Sequence, residues 1–87
     1  VGYWAQSIID TKLAGCINSR KITSIFRWQG KIQSKPEWQV QIKTTKKSKD
    51  ELISKIKSEH SYDNPEILCW PTDSTKEYSD WIKCFNF

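Results

Sequence analysis

The chain has 87 residues, of which 37% are hydrophobic, and its formal net charge is +4 at pH 7. That length corresponds to one domain, residues 1–87, near the lower size limit for a stable core. No run approaches the roughly 18 apolar residues of a membrane span, and no signal-peptide pattern opens the sequence. The composition therefore predicts a small globular domain, outside the membrane, that completes its core by oligomerising.

Residues 2–15 are predicted to form the first helix. Trp4, Ile8 and Leu13 lie on one apolar stripe at helical spacing. Gly15 follows at the position where a residue with left-handed backbone commonly ends a helix.

Residues 22–45 carry the clearest pattern in the chain, two alternating runs joined at residues 29–31. In the second run Trp38, Val40 and Ile42 fall on one parity, as expected of a half-buried strand. The glycine between the runs supplies a positive φ for a tight reversal. The stretch is therefore predicted to be a β-hairpin, with these three side chains against helices of the same subunit.

Two details of this hairpin are also predicted. Residues 18–21 are expected to be a polar connection that leads into its first strand. Pro36 cannot donate a backbone hydrogen bond, which predicts a bulge or an edge position near residues 34–37. Because a long two-stranded ribbon is marginal alone, something else must cover it.

Two further helices are predicted from capping boxes. Ser48 and Glu51 open the first of them, which should end near residues 59–60, and Ser74 and Glu77 open the second. Their apolar stripes are Leu52, Ile53 and Ile56 in the first helix, and Tyr78, Trp81, Ile82 and Phe85 in the second.

Residues 66–70 form a short, nearly continuous apolar run ended by Pro71, which predicts a buried strand with Cys69 packed inside it. The predicted order is then α-β-β-α-β-α. One strand at the front would give βαββαβ plus a C-terminal helix, the split-βαβ or ferredoxin-like sandwich of the α+β class. That first strand would be central in the sheet.

The sequence contains no methionine, so Val1 is not a translation start. Together with the topology, this predicts about ten further native residues upstream, which would carry the first strand.

The basic run of residues 43–49 favours nucleic-acid binding at first sight. The 14 lysines and arginines are otherwise scattered among 10 acidic residues, and no groove-reading motif is present. We therefore expect a solvated turn between a strand and a helix, and no nucleic-acid partner. RNA binding through Lys46, Lys47 and Lys49 is the weaker alternative.

The three cysteines, Cys16, Cys69 and Cys84, are odd in number and widely spaced. No CxxC or Cys/His zinc spacing exists, so a structural zinc site is not expected. An odd count without a secretory signal favours free thiols in a reducing compartment, and hence a cytoplasmic location.

His60 is the only histidine and lies at a predicted helix end. It either satisfies backbone carbonyls there or serves as a metal ligand or pocket residue. Cys16 is in the same way either a small buried hydrophobe or a soft ligand for copper. No nucleophile–base pair, paired carboxylates or glycine-rich phosphate loop is visible, so no enzyme is predicted.

Several stretches, in chain order, resemble the CutA divalent-cation tolerance family from about Ala5 onward. They are KLAGCIN at residues 12–18, ITSIFRWQGKI at 22–32, QIKT at 41–44, HSY at 60–62, PEI at 65–67 with Pro71, and EYSDWI at 77–82. Two residues depart from the family pattern. Ser61 stands where the family has proline, which loosens the loop that presents Tyr62, and Gly15 stands where it has alanine.

The resemblance implies a ferredoxin-like subunit in a tight homotrimer, and it gives a process rather than a reaction. It also implies a role in tolerance of copper or other divalent cations, bound weakly and not required as a cofactor. Cys16 and His60 are then the candidate metal ligands. The candidate cleft lining is Trp28, Lys31, Tyr62, Glu66 and Trp81, and the candidate trimer contacts are Trp28, Gly30, Lys31 and Ile32.

An alternative remains open. The family also resembles trimeric nitrogen-regulatory signalling proteins, which would make this chain a small-molecule or partner-protein signalling module.

Overall fold

The structure, a computed structural model, describes residues 2–60 and 64–85. Its elements follow in the order α1 (Gly2–Asp10), β1 (Cys16–Trp28), β2 (Lys31–Lys43), α2 (Lys46–Glu59) and α3 (Lys76–Phe85). The protein is therefore of the α+β class, and the sheet formed by the described residues has two strands. None of the helices in these residues is long and apolar enough to span a bilayer.

The predicted hairpin is confirmed. β1 and β2 pair in one antiparallel register from Cys16 opposite Lys43 to Trp28 opposite Lys31. The loop between them has two residues, Gln29 and Gly30, with φ of 51° and 77°. Positive φ at both positions gives the loop a twist that matches the right-handed twist of the strands, and glycine takes up that conformation without strain.

The ladder has no bulge, so of the two predicted alternatives for Pro36 the edge position is the one observed. Pro36 lies opposite Thr23 in an unbroken register. The closing pair of a two-residue loop exchanges both backbone hydrogen bonds, and hydrogen-bonded and non-bonded pairs alternate from there. Thr23 and Pro36 fall on a non-bonded pair, where the missing proline N–H would point to the outer edge of β2. Pro36 is tolerated because β2 is an edge strand in the two-stranded sheet of the described residues.

Residues 18–21 are part of β1 and do not form the predicted connection. Their polar side chains pair across the strands, since Arg20 Nε donates to Gln39 Oε1 at 2.8 Å. Cross-strand polar pairs stabilise a sheet whose faces reach solvent, so low hydrophobicity here did not mark a loop.

The core lies between helices α1 and α2 and the end of the hairpin near Cys16 and Lys43. Ile8 and Leu13, Ala14, Leu52 and Ile56 form its buried cluster, and Trp4, Ile17, Ile42 and Ile67 pack around it. Since Ile17 and Ile42 face each other in the ladder, α1 and α2 cover that face of the sheet. α3 lies near the opposite face, where the Tyr78 hydroxyl hydrogen bonds with Cys16.

The covered end includes two of the three side chains predicted to face the helices. Val40 and Ile42 are partly buried, whereas Trp38 is largely exposed because the helices do not reach that far along the strand.

The first helix ends five residues earlier than predicted, at Asp10. Lys12, with φ of 64°, is the left-handed residue that follows it. Gly15 has a different role, because a Cβ there would lie 2.9 Å from Ile82 Cδ1. Its backbone N–H donates to Lys43 O at 3.0 Å, which joins the segment to the end of β2. The glycine therefore allows α3 to approach the sheet closely.

Both predicted N-caps are shifted. Thr45 caps α2, and its hydroxyl accepts the backbone N–H of Ser48, which is 1% exposed and lies one turn inside the helix. Thr75 holds the same position in α3 and accepts from Tyr78 N at 3.3 Å. In each case threonine directly precedes the first helical residue and satisfies an otherwise unpaired N–H. The predicted end of α2 at residues 59–60 is confirmed.

The predicted buried strand at residues 66–70 is wrong in both respects. The described residues 64–75 have no regular secondary structure, and Leu68 and Trp70 are each 70% exposed, with Cys69 exposed between them. Only Ile67 packs against the core cluster. A strand needs a partner for its backbone groups. The partner that the split-βαβ order supplies is a strand before α1, and the described residues contain none.

We expect Gly15→Ala to destabilise the protein by about 1 kcal/mol, because the added methyl group must displace the buried Ile82 side chain. Urea unfolding measures this cost. Introducing Ile82→Val as well removes Cδ1, so the alanine should then cost clearly less. Gly2→Ala is the matched control, since nothing lies within 4 Å of its new Cβ. Equal effects at Gly15 and Gly2 would contradict the close approach.

Candidate metal and assembly site

Cys16 opens β1 and is partly buried at the end of the sheet nearest α3. Its Sγ lies 3.9 Å from Asn18 Oδ1, and it forms a hydrogen bond with the Tyr78 hydroxyl. Cys16 is therefore partly buried next to polar groups and does not belong to the buried core cluster.

The pKa of Tyr78 is raised above its usual 10.0 by this environment. Partial loss of hydration beside the sheet is the largest cause, followed by the hydrogen bond with Cys16 and by the negative charge of the Cys16 thiolate. All three favour the protonated phenol. The environment beside Cys16 therefore favours the neutral phenol of Tyr78.

His60 lies at the other end of α2. It is the C-cap residue, with its backbone N–H donating to Ile56 O at 2.9 Å, and its side chain is exposed. Cys16 pairs with Lys43, close to the start of α2, and the helix between has 14 residues, or about 21 Å. The structure does not bring the two candidate ligands together within one chain.

No three histidine, cysteine, aspartate or glutamate side chains in residues 2–60 and 64–85 lie close enough to hold a metal ion together. All three cysteines have free thiols. A metal bound by the described residues of one chain would therefore be held by one or two of these side chains, completed by water or by another copy of the chain.

The candidate trimer contacts do lie together. Trp28, Gly30, Lys31 and Ile32 form the closing pair, the loop and the first residues of β2 at the hairpin tip. Trp28 is 61% exposed and Ile32 is 72% exposed. Ile25, which was not among the predicted contacts, is also 72% exposed and lies opposite Ser34 near the same tip.

The candidate cleft residues are dispersed. Trp28 and Lys31 are at the hairpin tip, roughly 43 Å from Cys16 along the 13 residues of β1. Glu66 is exposed in the irregular segment, Trp81 is on α3, and Tyr62 is outside the described residues. A cleft that contained all of them would have to form between chains.

The sequence pattern did not predict the exposure of Tyr78 and Trp81 correctly. Tyr78 and Trp81 were assigned to the covered stripe of the last helix, but only Ile82 of that stripe is buried among the described side chains. The two rings contact each other in a tilted arrangement, with centroids 5.8 Å apart and an interplanar angle of 32°, and both remain partly exposed. Helical spacing identified the face correctly but could not show that the sheet covers only its edge.

A groove of about 620 Å³ lies between the end of α1 and the outer side of α2. Its lining includes Lys12, Ser54 and Ser58 but none of the candidate cleft residues that the structure describes. The salt bridge between Lys55 and Glu59, at 2.6 Å, borders it. This groove therefore does not correspond to the predicted cleft.

The fold and the site define a class of protein: a small α+β domain with a long projecting hairpin, an exposed apolar tip and no assembled catalytic group in the described residues. The family described as CutA1 divalent ion tolerance protein matches residues 2–84. The chain belongs to this family.

Individual proteins of this family are similar to the chain over most of its length. The divalent-cation tolerance protein CutA of Thermus thermophilus is 35% identical over 81 residues, which are 91% of this chain and 79% of that protein. The chloroplastic CutA of Arabidopsis thaliana is 37% identical over 81 residues, and the chain spans only 44% of its length. The structure of the PII-like protein CutA from Nostoc, 25% identical, superposes with a TM-score of 0.93 over 99% of this chain and 86% of that one.

We expect Cys16→Ala to lower the midpoint of Tyr78 titration, because it removes the hydrogen bond and the thiolate charge while the packing of α3 remains. Carbon-13 NMR of the tyrosine ring resolves this titration. Since the folded chain holds the proton more tightly than the unfolded chain, stability should also fall as pH rises above 10.0. Cys84→Ala is the control and should leave Tyr78 unchanged. A Tyr78 midpoint indifferent to both substitutions would contradict the contact.

Proposed function

We propose that this protein is a homotrimeric, non-enzymatic CutA protein with the ferredoxin-like split-βαβ fold. In this proposal it takes part in tolerance of divalent metal ions such as copper, which it binds weakly. Family membership over residues 2–84 supports the role in divalent-ion tolerance, and the exposed hairpin tip supports the proposed homotrimer.

The hairpin is the main observation behind the proposed trimer, because it extends well beyond the core that covers one of its ends. Each strand has 13 residues, about 43 Å, in a molecule 46 Å long. Helices cover only the end near Ile17 and Ile42, while large apolar side chains at the other end lie in water. A neighbouring copy would bury those side chains and pair with the free strand edges.

The same arrangement accounts for the dispersed candidate residues. In a trimer the tip of one chain, with Trp28 and Lys31, can reach the helical end of another, near Trp81 or Glu66. The proposed inter-subunit cleft therefore depends on the trimer. Cys16 and His60 act as separate weak metal sites unless a neighbouring copy brings them together.

A reducing compartment such as the cytoplasm is the proposed location, because the three cysteines carry free thiols. Location differs within the family, since the Arabidopsis relative is named chloroplastic.

Light scattering should give about three times the chain mass of 10.2 kDa at micromolar concentration. We expect Trp28→Glu combined with Ile32→Glu to yield monomers or dimers, because buried charges at the tip would cost far more than the lost contacts. Tyr3→Glu is the matched control, since Tyr3 is exposed on α1, away from the tip. A wild-type monomer, or a trimer that tolerates both tip substitutions, would contradict the proposal.

Copper binding is tested by anaerobic calorimetric titration of the wild type, Cys16→Ser and His60→Ala. We expect each substitution to weaken binding at its own site by at least about tenfold, because each removes a direct ligand. Cys84→Ser controls for exposed thiols in general. Unchanged binding in either variant removes that residue from the ligand set.

The signalling alternative rests on the PII-like protein CutA from Nostoc, whose structure superposes closely with this chain. In that case the half-exposed Tyr78 and Trp81 would contact a small molecule, and metal would be incidental. A metal-free thermal-shift screen separates the two functions, because a ligand that binds the folded state raises the melting temperature by mass action.

A further inference from the structure

A second groove, of about 370 Å³, is lined by three lysines and a threonine among the described residues. Its lining residues are Thr45, Lys46, Lys47 and Lys83. The first three come from the start of α2 and the last from the final turn of α3, so folding brings together lysines that are distant in sequence. Among the described residues, no acidic side chain lines this groove.

The two lysines of α2 are not neutralised by their own helix. Lys46 and Lys47 precede Asp50 and Glu51 by four residues, a spacing that allows ion pairs on a helix. Two other lysine–carboxylate pairs of the chain close at this spacing, at 2.6 and 2.8 Å. Lys46 and Lys47 make no such pair with any described residue, and their side chains line the groove instead.

Lys83 also makes no ion pair with a described carboxylate of its own helix, but for a different reason. The carboxylate closest to it along α3 is that of Asp80, which already pairs with Lys76 at 2.8 Å. Lys83 lies in the last turn, where a cation also interacts favourably with the helix dipole. That interaction explains its presence on the helix but not its position opposite the two lysines of α2.

The concentration of charge is unfavourable without a partner. The first turn of α2 contains no acidic residue, although that position ordinarily favours carboxylates over lysines. Lysine side chains that line one groove bring like charges near one another, and an anion bound between them would reduce this repulsion. Thr45 contributes a hydroxyl whose oxygen accepts the Ser48 N–H at 3.3 Å, which leaves its proton for an anion.

We propose that this groove binds the phosphate groups of a small anionic ligand, such as a phosphate monoester or a diphosphate. Lysine ammonium groups suit phosphate oxygens because they are compact charges with several donors each. The groove volume is within the range of small-molecule sites. The site shares no residue with the candidate metal ligands or the hairpin tip, so it stands whether or not the protein binds metal.

Calorimetric titration of the purified protein with inorganic pyrophosphate tests this site. We expect saturable binding at one site per chain, weakened about tenfold by Lys83→Gln and by Lys46→Gln, because each removes a charge-assisted hydrogen bond. Lys83→Arg keeps the charge and should retain most of the affinity. Lys49→Gln is the matched control, because Lys49 belongs to the same basic run but does not line the groove.

Comparing Lys83→Gln with Lys49→Gln distinguishes a specific binding groove from a general basic surface, because only the folded arrangement places Lys83 with Lys46. Binding that Lys83→Gln leaves intact, or that Lys49→Gln weakens equally, would overturn the proposal in favour of a general basic surface. No pyrophosphate binding, with single-stranded RNA retained and weakened equally by both substitutions, would overturn it in favour of a nucleic-acid surface. Circular dichroism of each variant keeps a folding defect from being read as lost binding.

Discussion

The antiparallel ladder between β1 and β2 is the interaction on which the rest of the structure depends. It extends without a break over 13 pairs, yet helices cover only the pairs near Cys16 and Lys43. Backbone hydrogen bonds alone add little net stability, and an isolated hairpin is marginal in water. The core cluster under Ile17 and Ile42 therefore stabilises one end of the ladder, and the far end requires a second source of stability. The proposed trimer follows from this imbalance.

The local elements of the fold were largely predictable from sequence, because they depend on neighbouring residues. The turn at Gln29 and Gly30 requires positive φ, and the alternating pattern set the parity of β2. Predictions failed where distant contacts decide. Gly15 is a glycine because of Ile82, not because it ends a helix. Residues 66–70 have the composition of a buried strand, but composition cannot supply the partner strand that such a segment needs.

The candidate site was less predictable, for the same physical reason. Cys16 was singled out from sequence, but its contact with Tyr78 depends on how α3 crosses the sheet. His60 was placed correctly at a helix end, while the distance that separates it from Cys16 requires the length and direction of α2. The lysines of the second groove illustrate the point further. Lys46 and Lys47 read as a solvated charge run until α3 places Lys83 beside them.

The central claim, that another chain pairs with the hairpin edges, is tested most directly by amide hydrogen exchange. The register directs the backbone N–H groups of Ile25 and Arg27 to the outer edge of β1, and those of Ile32 and Ser34 to the outer edge of β2. If the trimer forms as proposed, the amides on at least one of these edges exchange at least about a hundredfold slower than in an unstructured peptide. Exchange of all four at peptide rates, in protein whose inward-facing ladder amides are protected, would contradict the account.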